Sequence, residues 1–481
     1  MNYRSIIAAL GVVLIIIGSS MILPLLWSLY YGDYDWSAFL LSSIVTMITG
    51  LIAYKATGMK GEFRTKEAFA VVSLSWIIAS AFGAAPYLLT GTFASFADAF
   101  FETMSGFTTT GASVLTDIEI LPHGILFWRS LTHWLGGMGI IVLFVAVLSS
   151  LGVCGLQMFR AESPGPVAEK IKPRISATAK ILWYTYVGLT IAETLILWLL
   201  GMPLFDALCH TFGTLATGGF STKNASIGYY TSPMIHWVII VFMFLSGANF
   251  TLHYLALKGR DIKTFWRNGE FRLYTTITLL FISILAGVLI ISTNQSFETS
   301  LRQAAFQVIS IMTTTGYATA DFELWPYLGK VLLLMLMFVG GCSGSTGGSI
   351  KVGRILILLK QARIELQRAL HPRAILNAKV NNKPISSEMV MNVQQFFFIY
   401  IAITGASVVI MSALGLDLIS AFTSVAATIG NIGPGLGKVG PTQNYSFIPD
   451  VGKYYLSFLM LLGRLELYTV LVLFVPSFWK K

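Results

Sequence analysis

The sequence predicts an all-α polytopic membrane protein, with two N-terminal transmembrane helices followed by four span–short helix–loop–span repeats in pseudo-fourfold arrangement around one pore. Three observations predict it. Of 481 residues, 55% are hydrophobic and 11% charged, with a mean hydropathy of +0.73, whereas a soluble domain carries about 25% charged residues. Uncharged apolar runs recur along the chain, each near the roughly 20 residues that cross a bilayer as a helix. One pattern also occurs four times between such runs: Asp98, Thr109 and Gly111; Asp206, Thr217 and Gly219; Gln303, Thr314 and Gly316; Asp417, Thr428 and Gly430.

The elements follow in order. Residues 1–66 hold the two extra spans, at 6–29 and 36–54. The first resembles a secretory leader, but no small-residue cleavage site precedes Pro24 and Trp27, so it reads as a retained span. Residues 67–155 form repeat 1, with spans at 68–90 and 123–152 around a short segment at 95–113. Residues 156–258 form repeat 2 (180–202, 204–221, 233–257). Residues 259–362 form repeat 3 (272–292, 298–318, 326–350), which contains a glycine-rich segment. Residues 363–481 supply a cytoplasmic connection and repeat 4 (391–413, 416–433, 454–478). The four short segments cannot span, and irregular backbone at membrane depth is tolerated only when buried in protein or lining water. As ordinary external loops they would not share one pattern in one place four times.

The net charge of +10 reads as topology rather than nucleic-acid binding. Lys and Arg concentrate at the N-terminus, 55–66, 158–180, 258–272, 351–388 and the C-terminus, which places those loops and both termini in the cytoplasm. Asp33, Asp35, Asp117, Glu119, Asp321 and Glu323 fall on the other side, where an acidic mouth would attract cations. Cys154, Cys209 and Cys342 are far apart in apolar segments. They give neither a disulfide framework nor a metal spacing and read as packing residues.

Four glycine-bearing loops around one axis would make a ring of backbone carbonyls able to replace the water of a bare monovalent cation. Glycine permits the needed dihedrals, threonine adds hydroxyls, and the partly negative C-terminal ends of the short helices would face the cation. The candidate filter residues are Thr109, Thr110, Gly111; Thr217, Gly218, Gly219; Thr314, Thr315, Gly316; and Thr428, Ile429, Gly430. The quarters differ, which predicts looser selectivity than an identical tetramer would give.

The run GGCSGSTGGSIK, Gly340 to Lys351, cannot be a stable helix interior. It lacks the spacing of a phosphate loop. It reads as a break that gates the pore, with Gly344, Ser345, Thr346, Gly347 and Gly348 as the moving part, or else as a hinge for packing. Arg464 stands midway along the last span, where arginine faces protein or a water cavity. It is a pore barrier in one reading and half of a structural ion pair in the other. Glu466 is an unsuitable partner, because residues two apart on a helix point apart. Glu193 and His133 read as packing residues that a proton or sodium coupling site could also use. No catalytic or metal-ligand constellation appears, so the chain is not expected to be an enzyme.

The segments TTTGAS, ATGGFST, TTTGYATAD and ATIGNIGPGLG, together with GGCSGSTGGSIKVGR and Arg464, resemble the Trk/Ktr/HKT superfamily of potassium transporters. Two leading spans bring the chain nearest to the bacterial TrkH type. The resemblance implies potassium (K+) as the transported ion, a bacterial inner membrane location and a homodimer with one pore per subunit. It also implies a gating role for the glycine-rich segment and a pore-lining place for Arg464. Finally, it implies a cytoplasmic TrkA-type ring of regulatory subunits that binds NADH or ATP; the chain has no nucleotide-binding motif of its own. Gln303 departs from the Asp of the other repeats. The alternative is a secondary transporter that couples K+ to Na+ or H+. Transporters often carry inverted repeats, whereas these four modules all cross in one direction, which favours a pore.

Overall fold

The structure is a computed structural model that describes residues 1–58, 63–137, 175–373, 378–381 and 383–480. Cys154, the second half of the span expected at 123–152 and most of the basic loop 158–180 lie outside the described residues. Among the described residues six helices are long and apolar enough to cross a membrane, or seven if one bent pair counts as a span. The sole sheet there is a two-stranded hairpin, Lys379–Val380 against Lys383–Pro384.

The first hairpin, Tyr3–Tyr31 and Trp36–Thr57, packs through glycine. A Cβ on Gly11 would lie 2.6 Å from the Gly50 carbonyl oxygen, and one on Gly50 would lie 2.6 Å from that of Gly11. Small residues let helix backbones meet where lipid offers no hydrophobic drive. Ser43 donates across the contact to the Gly18 carbonyl at 2.7 Å.

Three expected spans are broken. The sixth is two helices, Pro233–Ser246 and Phe250–Gly259, bent by 98°. Gly247 and Ala248 make the break, and Asn249 caps the second piece by accepting from Thr251 N at 2.8 Å. The eighth is helical only over Tyr327–Leu336, and the glycine-rich run unwinds it until helix Val352–Leu370 begins. The tenth runs Asp450–Arg464, stops, and resumes at Leu467. The stop coincides with Glu466 at φ +61°, a left-handed backbone that no helix interior accepts.

All four short helices are present: Phe96–Phe107, Leu204–Ala216, Phe297–Met312 and Leu418–Ile429. Ser95, Ser296 and Asp417 cap the first, third and fourth through Ala97 N, Thr299 N and Ser420 N. Large side chains buried to less than 2% exposure, among them Trp76, Phe101, Phe107 and Trp128, wedge the first short helix between its flanking spans. The Trp128 indole N–H donates to the Gly83 carbonyl at 3.0 Å.

Candidate functional site

Each short helix ends in the same backbone figure. The residue leaving the helix is left-handed: Thr109 at φ +53°, Thr217 at +54°, Thr314 at +62° and Asn431 at +53°. A positive-φ glycine follows two positions later: Gly111 at +81°, Gly219 at +82°, Gly316 at +81° and Gly433 at +95°. In the fourth repeat this corrects the register read from sequence. Gly430 has φ −83° and caps the helix. Thr428 and Ile429 are still helical, with the Thr428 hydroxyl donating to Ser424 O at 2.7 Å. The displaced assignment has a physical cause. Asp98 and Asp206 lie in the first turns of their helices, whereas Asp417 is itself the N-cap. Equating the three acids therefore slides the fourth loop back by three residues, from Asn431 to Thr428. The asparagine of NIG occupies the left-handed place that threonine takes elsewhere; asparagine tolerates that conformation well.

The loops touch in a closed cycle. A Cβ on Gly111 would collide with the Gly218 carbonyl, one on Gly219 with that of Thr315, and one on Gly316 with that of Ile432. One on Gly433 would lie 2.7 Å from the Thr110 carbonyl, which returns to the first loop. Gly111, Gly219, Gly316 and Gly433 all line one cavity of about 150 Å³. The charged side chains on its wall are Arg129 and Lys223.

The predicted acidic mouth is therefore absent from this wall, and its acids have structural partners. Asp98 lies 2.5 Å from Lys453 Nζ. Asp206 accepts from the Thr222 hydroxyl at 2.7 Å and the Tyr230 hydroxyl at 2.8 Å. Asp117 and Glu119 hold Asn224. Glu323 accepts from Gly437 N at 2.5 Å, Asp321 from Glu323 N at 3.0 Å, and Asp33 and Asp35 from the backbone of His123 and Ile125.

Behind the cavity the loops are braced by side chains that the sequence reading missed or undervalued. Arg129 Nε donates to Glu102 at 2.9 Å, with the two side chains 1% and 0% exposed. The guanidinium also donates to Ser221 O at 3.1 Å and stands 4.2 Å over the Phe220 ring. Glu102 in turn accepts from Ser113 Oγ and Val114 N, both at 2.9 Å. The pair thus ties the outer limb of loop 1 to that of loop 2. The signal was present, since Glu102 and Arg129 are charges within apolar segments. His133 Nδ1 lies 2.7 Å from the Gly106 carbonyl and donates to it, which leaves Nε2 to accept from Phe220 N at 3.1 Å. The Tyr317 hydroxyl of loop 3 reaches back to His210 O at 2.9 Å.

The glycine-rich segment seats against the other side of the loops. Gly340 N and Ile350 O close its neck at 2.8 Å. Cys342 N donates to Gly247 O at 2.8 Å, and Phe250 N to Gly344 O at 3.0 Å, so the break in the sixth span receives it. Glu270 accepts from Ser343 N at 2.6 Å and Gly353 N at 2.8 Å, and Lys351 Nζ bonds Gly347 O. The tip meets the loops directly. Gly348 N donates to Thr314 Oγ1 at 2.7 Å, and Gly347 packs under the Thr313 carbonyl.

Arg464 joins these parts. It donates to Thr346 O at 2.7 Å, Thr109 Oγ1 at 3.0 Å, Gly136 O at 2.6 Å and Gly137 O at 2.8 Å. Glu466 pairs with Arg354 at 2.6 Å, because the helix break turns it toward the helix Val352–Leu370. Glu193 is buried on the helix Ile175–Leu199, facing Thr214 of the second short helix. Cys209 and Cys342 are free and buried.

A family model described as "Cation transport protein", TrkH, matches residues 37–481. The chain belongs to the TrkH family. It is 44% identical, over the full length of both chains, to the Trk system potassium uptake protein TrkH of Salmonella typhimurium. It is 37% identical to the Trk system potassium uptake protein TrkG of Escherichia coli, over 96% of this chain and 95% of that protein. Among solved structures, the potassium transporter TrkH from Vibrio parahaemolyticus matches with a TM-score of 0.90 at 40% identity, covering both chains completely. TrkH membership makes the chain a transport protein rather than an enzyme. It is a predominantly helical membrane protein with several spanning helices. The TrkH match begins after the first helix, whereas the full-length relatives align along the whole chain.

Proposed function

We propose that this chain takes up potassium across the bacterial inner membrane through a carbonyl-lined selectivity filter, with the four repeats arranged pseudo-fourfold around one pore. The closed cycle of loops carries the reading: four equivalent positive-φ glycines line one small cavity. In each loop two positive-φ residues flank one that is not, an alternation that can turn successive carbonyls to one side. Such a ring can replace a cation's water. The filter is Thr109–Gly111, Thr217–Gly219, Thr314–Gly316 and, in the register of the backbone, Asn431–Gly433 in place of Thr428–Gly430. The Trk system potassium uptake names of the relatives support K+ as the cargo.

Residues Gly344–Gly348 form the gate, and Arg464 is the charged barrier that holds it against the filter. A cytoplasmic TrkA-type ring that binds NADH or ATP opens the gate from the basic segments 158–180, 258–272 and 351–388. The working unit is a homodimer with both termini cytoplasmic. Current recording from the purified protein in a planar bilayer tests this. Discrete currents that follow either K+ gradient are expected, and flux locked to a fixed ratio of H+ or Na+ would overturn the channel-like part. One observation favours that second reading, a secondary transporter: the Glu193 carboxyl is fully buried on a long apolar helix.

A further inference from the structure

The left-handed position in each loop carries one side-chain oxygen, and two of the four oxygens are engaged by the glycine-rich segment or by Arg464. Thr314 Oγ1 accepts from Gly348 N at 2.7 Å. Thr109 Oγ1 accepts from Arg464 Nη1 at 3.0 Å, and the same nitrogen donates to Thr346 O at 2.7 Å. The glycine-rich segment thus fixes the arginine on the Thr109 hydroxyl. The other two oxygens are differently placed. Thr217 donates its own proton to Ala216 O at 2.6 Å, which leaves its lone pairs available. Among the described residues Asn431 Oδ1 is buried without a hydrogen-bond partner, while the amide nitrogen of that side chain donates to Thr110 Oγ1 at 3.0 Å and Met460 O at 2.9 Å.

Neutral hydroxyl and amide oxygens are the donors that a weakly hydrated alkali cation accepts in exchange for water. An oxygen already holding an N–H offers less, and a guanidinium within hydrogen-bond reach adds like-charge repulsion. We propose that Thr109, Thr217, Thr314 and Asn431 form an innermost alkali-cation site that is disassembled in the arrangement seen here, because Gly348 N–H and Arg464 occupy two of its four oxygens. The proposal rests on the filter reading above and deepens it, since the gate removes an ion site as well as blocking the path. By reciprocity, a cation bound at this site opposes the return of the segment. Opening and inner-site occupancy therefore reinforce one another.

Thallium, a potassium substitute located by its anomalous scattering, tests this in crystals of the full chain. The intact protein should show thallium at the level of the four glycines and none at the level of Thr109 and Thr314. A variant lacking Gly344–Gly348 should gain density at that second level. Thr314→Val in the shortened variant should abolish the added density, and Thr314→Ser should keep it, which separates lost coordination from general misfolding. Thallium at the inner level in the intact protein, or none there in the shortened variant, overturns the proposal. Thallium at neither level in any variant overturns the filter reading itself.

Discussion

Replacing Gly433 by alanine tests the register of the fourth loop. At φ +95° the backbone lies where an L-residue loses about 1–2 kcal/mol to clash with its own carbonyl. The new Cβ would also stand 2.7 Å from Thr110 O and 3.0 Å from Gly111 C. Both are backbone atoms of the first loop, so neither can swing aside, and loops 1 and 4 must part. A cost of that size shifts populations by a factor of about 5–30, and the shift falls on the ring itself. Gly433→Ala should therefore cut the K+/Na+ permeability ratio about tenfold, which corresponds to about 1.4 kcal/mol of lost discrimination. Gly430→Ala differs, because φ −83° suits alanine and its tight contacts, Ala426 O at 2.8 Å and the Ile432 side chain at 2.9 Å, fall within its own segment, so any adjustment leaves loop 1 in place. It should keep the ratio within a factor of about two, an effect below about 0.5 kcal/mol. Rubidium and sodium uptake into proteoliposomes reads both ratios. If Gly430→Ala loses discrimination and Gly433→Ala keeps it, the backbone register is wrong and the spacing of threonine and glycine in the sequence is the better guide.

Three other outcomes follow from the same geometry. Glu102→Ala strands the buried Arg129 guanidinium and should destabilise the protein by about 3–5 kcal/mol, as broken buried pairs do. Thermal unfolding in detergent measures it, Glu102→Gln with Arg129→Gln should recover part of the loss, and an unchanged midpoint for the single variant would count against the brace. Arg354→Ala releases Glu466 beside the helix break and should raise resting rubidium flux; flux equal to the parent's would mean that the ion pair does not restrain the gate. Asp417→Ala removes an N-cap, worth about 1 kcal/mol. Its hydrogen bond to Ser420 holds the Asp417 carboxyl below its ordinary range. That stabilisation is present above the unfolded value near 3.8 and is lost as pH falls through the lower folded one. The parent's advantage over Asp417→Ala should thus shrink in strong acid toward that of Asp417→Asn, which keeps a neutral cap without the pH dependence. A parent–alanine difference constant from neutral pH into strong acid would refute this.

Membrane spans and short helices were legible because hydrophobic length and caps are local properties. Their interruptions were legible only in part. Gly247, Ala248 and Asn249 announce a break to a reader looking for small residues before a cap, but mean hydropathy carries a single span straight through them. Arg464 and Glu466 were read on one continuous helix, and a left-handed residue at 466 sends them to different partners. The threonine and glycine named by spacing are the positive-φ residues in three loops, whereas Asn431 and Gly433 are in the fourth, since an acid can cap a helix or sit in its first turn and the sequence does not mark which. The acids expected at the mouth hold residues of the cavity wall rather than line it themselves, for a related reason. A carboxylate's position in a loop does not reveal whether a lysine or a backbone N–H awaits it after folding, as Lys453 awaits Asp98 and Gly437 N awaits Glu323.

The braces are distributed unevenly, and their placement bears on how such a ring could open. On the cavity side the loops are held by fully buried contacts: Arg129 with Glu102, His133 with Phe220 N, His210 with Ser221, and Tyr317 with His210 O. None of them involves the glycine-rich segment. On the opposite side, Thr314 Oγ1 is held by that segment and Thr109 Oγ1 by Arg464, while Arg464 in turn is held by the segment through Thr346 O. Withdrawing the segment removes one of these contacts directly and loosens the other, and it breaks none of the cavity-side braces. The glycine ring can therefore keep its geometry while the face beneath it changes partners. In the gating proposed above, this separation lets one short loop control access without dismantling the ring of glycines.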